Sequence, residues 1–212
     1  MEKHIFFDFN GTIINDVDLC LDLLNEILTK QGKKNLTVEE YKKVFTFPVK
    51  KYYELAGIDF NIESFESLAD WFIKVYQPAS LKCGLYPNLK ETFAILKEKG
   101  YKLYILSASE RNNLLEQCES YDIVKYFEDI LGIDNIHASS KVSIALDYLK
   151  KNNLKGEDIL FIGDTLHDLE VANAMGARCI LVSCGHQAVE VLKKGQVPII
   201  DSVSDLLRMV ES

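Results

Sequence analysis

The sequence predicts an α/β fold, a doubly wound parallel sheet core carrying an inserted α-helical cap domain, and three observations carry that expectation. A short apolar strand, His4 to Phe7, opens the chain and gives out at Asp8. About 66 residues from Asp16 to Leu81 then show helical spacing without strand alternation, far more than an ordinary crossover between parallel strands needs. From about Leu85 onward strand and helix alternate, the pattern of a doubly wound sheet. The expected division is a core of residues 1–15 and 84–212 with a cap of residues 16–83.

The run His4 to Phe7 is aromatic and β-branched, as suits a strand covered on both faces. Asp16 is placed to cap a helix in which Leu19, Leu23, Leu24 and Ile27 recur at helical spacing up to Gly32. Thr37 and Glu40 have the spacing of a capping box and open a second short helix reaching Phe45. Pro48 starts a third through Tyr52, Tyr53 and Leu55, which Gly57 stops. A longer helix from about Glu63 to Leu81 places Phe65, Leu68, Phe72 and Tyr76 on one face.

Beyond Gly84, Pro87 opens a helix with Leu89, Phe93 and Leu96 on one side and Gly100 at its end. Lys102 to Leu106 is the second strand, followed at once by Ser107-Ala108-Ser109. A helix from about Glu110 to Ser120 leads to a weak third strand at Asp129 to Gly132. Ser139 or Ser140 caps the next helix, which carries Val142, Ala145, Leu146 and Leu149 at helical spacing. Asp158 to Ile162 is the fourth strand, ending in Gly163-Asp164-Thr165-Leu166-His167-Asp168; a helix to Met175, a stop at Gly176 and a fifth strand Cys179 to Val182 follow. There is no internal repeat, low-complexity tract or GxGxxG fingerprint, so the core is Rossmann-like in winding without a dinucleotide signature.

Composition narrows the partners. The hydrophobic fraction of 48% and charged fraction of 26% are those of a soluble globular protein. A net charge of −8 argues against a nucleic-acid or anionic-membrane partner. No apolar run approaches membrane-spanning length and no signal segment opens the chain. The five cysteines are odd in number and lack CxxC spacing, which reads as reduced thiols in the cytoplasm. Cys184, beside a strand end, is either a small buried side chain or a reactive thiol. Nothing in the sequence sets an oligomeric state.

Polar residues collect at the strand ends, where ligands bind in open α/β sheets. Asp8 ends the first strand, Ser107 the second, and Asp164 and Asp168 follow the fourth, while Lys141 opens a helix. Each has a plain structural reading: Asp8 and Ser107 as turn formers, Lys141 as a solvated cation, Asp168 as a charge favoured at a helix N-terminus. Together they bring three carboxylates, a hydroxyl and an ammonium to one edge.

In that order and spacing, Asp8-Phe9-Asn10-Gly11-Thr12, Ser107, Lys141 and Gly163-Asp164-Thr165-Leu166-His167-Asp168 resemble the four motifs of the haloacid dehalogenase-like superfamily. The helical insert between motifs one and two resembles its phosphoglycolate-phosphatase-like branch. The resemblance implies a Mg²⁺-dependent phosphatase of a small phosphorylated metabolite, with Asp8 as nucleophile forming an aspartyl-phosphate. It implies Mg²⁺ held by Asp8, the Asn10 carbonyl and Asp164. Asp168 would orient a metal-bound water or hold Lys141, and Gly11, Thr12, Ser107, Ala108 and Lys141 would hold the phosphoryl group.

One position departs from the family pattern. Two residues after the nucleophile the family's phosphatases carry a second Asp, which protonates the leaving group; here it is Asn10, which cannot shuttle a proton at neutral pH. General acid–base catalysis is worth about 10²–10⁴-fold. Asn10 is then an engineered substitution; or natural, with His167 or His186 supplying the proton; or tolerated because the substrate has a good leaving group. Alternative functions are a catalytically weakened phosphate-binding or regulatory protein, and a phosphomutase. The cap is expected to close over the site and choose the substrate. Lys42, Lys43, Lys50 and Lys51 either reach a substrate anion or form solvated helix faces.

Overall fold

The computed structural model describes residues 3–133 and 140–210. Six parallel strands form one sheet in the order β3-β2-β1-β4-β5-β6: β1 His4–Phe7, β2 Lys102–Glu110, β3 Asp129–Ile133, β4 Ile159–Gly163, β5 Arg178–Val182 and β6 Ile199–Ile200. The chain winds outward from β1 through β2 to β3, then returns to β1's other side and winds through β4 to β6. The order reverses at β1 and β4, so the crevice of an open α/β sheet lies where Phe7 aligns with Ile105 on one side and Ile162 on the other.

Alternation along β1 divides the core. Ile5 and Phe7 point to one face, where α5 (Leu89–Glu98) and α6 (Arg111–Ser120) supply Leu89, Phe93, Leu96 and Leu114. Phe6 points to the other, among Ala145 and Leu149 of α7 (Lys141–Asn152) and Val171, Ala172 and Met175 of α8 (Leu166–Met175). Both faces of the sheet are therefore covered, which is why its strands read as unbroken apolar runs. Phe93 is fully buried with its ring 5.4 Å from Phe7, and truncating it to Ala should cost about 3–5 kcal/mol.

Between β1 and α5 lie four helices: α1 Val17–Lys30, α2 Val38–Val44, α3 Val49–Ala56 and α4 Phe65–Ser80. They bury a separate apolar cluster that includes Leu24, Ile27, Leu28, Tyr41, Tyr53 and Leu68. The Thr37–Glu40 capping box forms as the sequence indicates, and Gly57 ends α3 at φ +97°. Asp16 is a correction: it stands at the N-terminal boundary of α1, but its side chain makes no capping bond and turns into the site instead.

Other boundaries shift modestly. β2 runs through Ser107 to Glu110, with a register irregularity after Leu106, so Ser107 lies within an irregular strand end rather than just past it. Ser140 caps α7 through its hydroxyl, while Ser139 lies outside the described residues. The short helices α9 Val189–Leu192 and α10 Leu206–Val210 and the two-residue β6 go beyond the sequence expectation, being too short to show a period.

Candidate active site

Asp8 is the first residue beyond β1, and its N–H donates to the Ile162 carbonyl at 2.8 Å, which pins it at the crevice between β1 and β4. Lys141 is the first residue of α7 and is 3% exposed, so the reading as a solvated cation is overturned. Its Nζ donates to the carboxylates of Asp8 and Asp168, the latter at 2.6 Å. Asp168 is itself locked: its second oxygen accepts from the Asp164 N–H at 3.2 Å and from the Thr165 N–H and hydroxyl at 3.0 and 2.7 Å. Of the two expectations for Asp168, holding Lys141 is the one the geometry displays. Ser107, also buried, accepts from the Ser109 N–H and donates to its hydroxyl, both at 3.1 Å.

Asp164 accepts from the His186 N–H at 2.6 Å and from the Thr12 hydroxyl at 3.4 Å. Gly185 and Gly11 make this approach possible: a Cβ on either would lie 2.2 or 2.3 Å from the Asp164 carboxylate. Gly11 also needs its φ of +70°, and its N–H donates to Asp16 at 2.8 Å. In this structure Gly11 and Thr12 are thus spent on supporting the turn and Asp164, whereas Ser107, Ala108 and Lys141 line the cavity above Asp8.

The electrostatics are lopsided. Asp8, Asp164 and Asp168 each offer an oxygen within 4.8 Å of the others, against the single ammonium of Lys141. Burial pushes the Asp8 carboxyl well above the usual range; Lys141 opposes the shift, and Asp168 and Asp164 add to it. Burial likewise pushes Asp164 up to about 6, opposed by His186 and reinforced by Asp168. Lys141 stays charged, because Asp168 and Asp8 outweigh the burial that disfavours its cation. A cluster of hard oxygen donors with excess negative charge fits a divalent cation such as Mg²⁺ better than a soft metal.

A second network, centred on Asp16, joins the first from the helical side. The fully buried Asp16 carboxylate accepts from the Asn10 Nδ2 at 3.0 Å, the Tyr76 hydroxyl at 2.6 Å and the Gly11 N–H. His186 Nε2 stands 3.2 Å from it, and the other ring nitrogen is 2.7 Å from the Tyr41 hydroxyl. Burial works against the Asp16 charge, yet His186, Tyr76 and Asn10 outweigh it and hold the carboxyl below its ordinary value. Burial also opposes the His186 cation, and Asp16 overrides it to raise the imidazole. Asn10 is fixed from both ends, since Ser109 donates to its Oδ1 at 3.3 Å while Nδ2 reaches both Asp16 and Tyr76, the latter at 2.6 Å.

This network was largely illegible in the sequence. Tyr76 read as an apolar-face residue and Asp16 as a cap, and Tyr41 carried no signal of its own; the only signal was His186 just past a strand end. His167, the other histidine singled out, pairs with Glu170 at 3.0 Å and packs its ring 4.7 Å from Phe47 at the cavity wall. None of Lys42, Lys43, Lys50 and Lys51 lines the cavity: Lys42 donates to the Cys184 carbonyl at 3.1 Å, and Lys50 lies over the Phe60 ring. The Cys184 thiol is pushed up to about 12, chiefly by burial, which leaves it unreactive near neutrality.

The Asp8 and Asp16 networks form the floor of a cavity of about 400 Å³ between the sheet edge and the helices. The 184–188 loop ties the two together: Gln187 donates to the Phe45 carbonyl at 2.9 Å and the Ala188 N–H to the Lys42 carbonyl at 2.9 Å.

The winding places carboxylates at the carboxyl ends of β1 and β4, with a buried lysine between them, in the ligand crevice of a doubly wound α/β fold. The family model described as haloacid dehalogenase-like hydrolase matches residues 5–182, and the chain belongs to that family. It is 22% identical to phosphoglycolate phosphatase 1 of Pseudomonas aeruginosa, across 98% of this chain and 79% of that protein. It is 24% identical to phosphoglycolate phosphatase of Vibrio vulnificus, across 98% and 96%. A haloacid dehalogenase-like family protein from Streptococcus pneumoniae has the same fold, with a TM-score of 0.82 at 18% identity over 99% of this chain and 98% of that one.

Proposed function

We propose that this hydrolase is a Mg²⁺-dependent phosphatase of a small phosphorylated molecule, working in the cytoplasm through an aspartyl-phosphate on Asp8. The observation that carries the reading is the Asp8 carboxylate, buried at the end of β1, aimed into the cavity and held by Lys141, which Asp168 holds in turn. Phosphatases among the relatives support it. So do the five free cysteines and the lack, among the described residues, of any helix long and apolar enough to cross a membrane. The helices of residues 16–83 act as the cap, with their own apolar cluster beside the core.

An Asp8 oxygen attacks phosphorus and the leaving-group oxygen departs with the electron pair of its P–O bond; water then attacks phosphorus and regenerates the carboxylate. Lys141 places a cation beside the nucleophile and the incoming phosphoryl oxygens, and Ser107 offers its hydroxyl to them. Asp168 fixes the Lys141 ammonium rather than the substrate. The buried cavity floor excludes bulk water, which strengthens each of these interactions. Asp8, the Asn10 carbonyl and Asp164 would hold Mg²⁺, which when bound neutralises charge on the phosphoryl oxygens. Phosphate release from a panel of phosphorylated metabolites, with and without Mg²⁺, tests the reading. Multiple turnovers that vanish in Asp8→Asn support it, and metal-independent or absent turnover refutes it.

One observation favours a second reading. Asn10 has both ends of its amide engaged and supplies no titratable group, which suits a phosphate-binding protein of weak turnover. Tight phosphate binding with no more than one turnover would select it.

A further inference from the structure

We infer that the leaving group this site accepts is apolar and ring-sized, so that the favoured substrate is an aryl phosphomonoester rather than one bearing a carboxylate such as phosphoglycolate. The inference rests on the phosphatase reading above and follows from two independent features, the wall of the cavity and the residue at position 10.

The wall opposite Asp8 is built by the helical segment, with Phe45, Phe47, Tyr53, Phe65, Phe72 and Ile73 among its lining side chains. Phe72 stacks on Tyr76 at 5.4 Å between centroids, and Phe45 stands edge-on to Phe47 at 5.7 Å. Ile73, 56% exposed, carries the apolar surface out to the rim. Among the described residues lining the cavity the one lysine or arginine is Lys141, already paired with Asp8 and Asp168. The two histidines on the lining are likewise engaged, His186 by Asp16 and Tyr41 and His167 by Glu170, and the remaining charged groups are carboxylates: Asp8, Asp16, Glu110, Asp164 and Asp168. A substrate carboxylate entering this space would be desolvated beside rings and acids with no unpaired cation to meet it, an unfavourable transfer. An aromatic ring would instead bury its faces and edges against matching rings.

Position 10 selects in the same direction. The Asn10 amide has no proton to give, and its Nδ2 is directed at Asp16 and Tyr76. When the Asp8 oxygen bonds to phosphorus and the P–O bond to the leaving group breaks, that electron pair stays on the departing oxygen. A phenol of tyrosine type ionises at about 10, whereas water, a guide to aliphatic alcohols, is a far weaker acid. A phenolate therefore departs unprotonated and takes its proton from solvent, whereas an alkoxide needs the acid that Asn10 does not provide. The wall sets what binds and the amide sets what can leave; an aryl phosphate satisfies both.

The experiment compares 2-naphthyl phosphate with 2-phosphoglycolate on the full chain, by phosphate release with Mg²⁺ and by calorimetric binding without it, in wild type and in Ile73→Arg. The expected wild-type result is a preference of roughly 100-fold in kcat/KM for the naphthyl ester, with tighter binding in the same direction. Ile73→Arg, at the rim, should narrow the preference at least about tenfold by adding a cation for the carboxylate. Selective binding of the naphthyl ester without turnover upholds the pocket's selectivity and refutes the phosphatase reading instead. Equal or better binding and cleavage of phosphoglycolate overturns the inference while leaving the phosphatase reading intact.

Discussion

The sheet edge and the helical segment meet over one cavity, but they are built in opposite ways. At the edge, Asp8, Lys141, Asp164 and Asp168 come from strand ends and helix starts within a core whose central strands, β1 and β4, are almost completely buried. On the helical side the contribution is apolar and partly exposed, with Ile73 56% open to solvent at the rim, and the tie to the core runs through polar contacts of Asp16, Lys42, Phe45, Gln77 and Ser80. The difference separates two tasks. Groups that make and break bonds must be held to fractions of an ångström, which a packed sheet provides. A wall that admits a leaving group must open, and a segment with its own apolar cluster, joined to the core through polar contacts, is the part that can move as a unit.

The largest expected effect comes from breaking the rigid half. Asp8→Asn should remove turnover by at least about 10⁴-fold, read as phosphate release. Lys141→Met leaves the Asp8 and Asp168 carboxylates facing each other in a buried site. It should cost about 3–5 kcal/mol of stability in urea unfolding and most of the activity. Should Lys141→Met stay as stable and active as wild type, the lysine would not be the hub described.

The joint between the halves comes next. His186→Ala leaves Asp16 with one fewer partner and opens the contact to Tyr41, and should destabilise by about 2–4 kcal/mol. The pair also carries a pH signature. His186 is raised when folded, so its contribution is complete below the unfolded value near about 6.5 and fades as pH climbs through the folded one; Asp16 is lowered, so its contribution is complete above about 3.8–3.9 and fades in acid. The stability difference between wild type and His186→Ala should therefore be greatest between about pH 4 and 6.5. A flat difference across pH would remove the ion pair from the account.

Metal removal gives a smaller, signed effect. Asp164 is raised to about 6, so its contribution to stability is present below about pH 4 and is lost as pH rises through 6, where the metal-free cluster becomes more repulsive. Mg²⁺ should therefore raise the melting temperature more at about pH 7.5 than at about pH 5, relative to chelator. The smallest effect is expected at the wall: His167→Ala, which loses a half-exposed pair with Glu170, should change aryl phosphatase activity less than about threefold. A loss of 10²-fold or more would restore His167 as the substitute acid.

The sequence revealed the rigid half better than the joint. Strand runs and the helix stops at Gly57 and Gly176 carry local signals, and the residues at strand ends are placed by topology alone, so Asp8, Ser107, Lys141 and Asp164 were all legible. Asp16 was not, because a carboxylate before a helix has a local explanation as a cap and only the fold shows it reaching Asn10, Tyr76 and His186. Tyr41 and Tyr76 were hidden for a related reason: helical periodicity reports which face is buried but not that a hydroxyl at its edge meets a polar partner. The role of Lys42 in tying α2 to the Cys184 carbonyl depends on a contact across more than a hundred residues, which no spacing rule encodes.

The central claim, that the sheet edge performs phosphoryl transfer through Asp8, is tested most directly by acid-quenching the enzyme during turnover with Mg²⁺ and an aryl phosphate and mapping the peptides by mass. The account predicts one acid-stable, hydroxylamine-labile phosphoryl group on the peptide containing Asp8, absent from Asp8→Asn. Turnover with no phosphoryl group on that peptide, or with one on another residue, would contradict it.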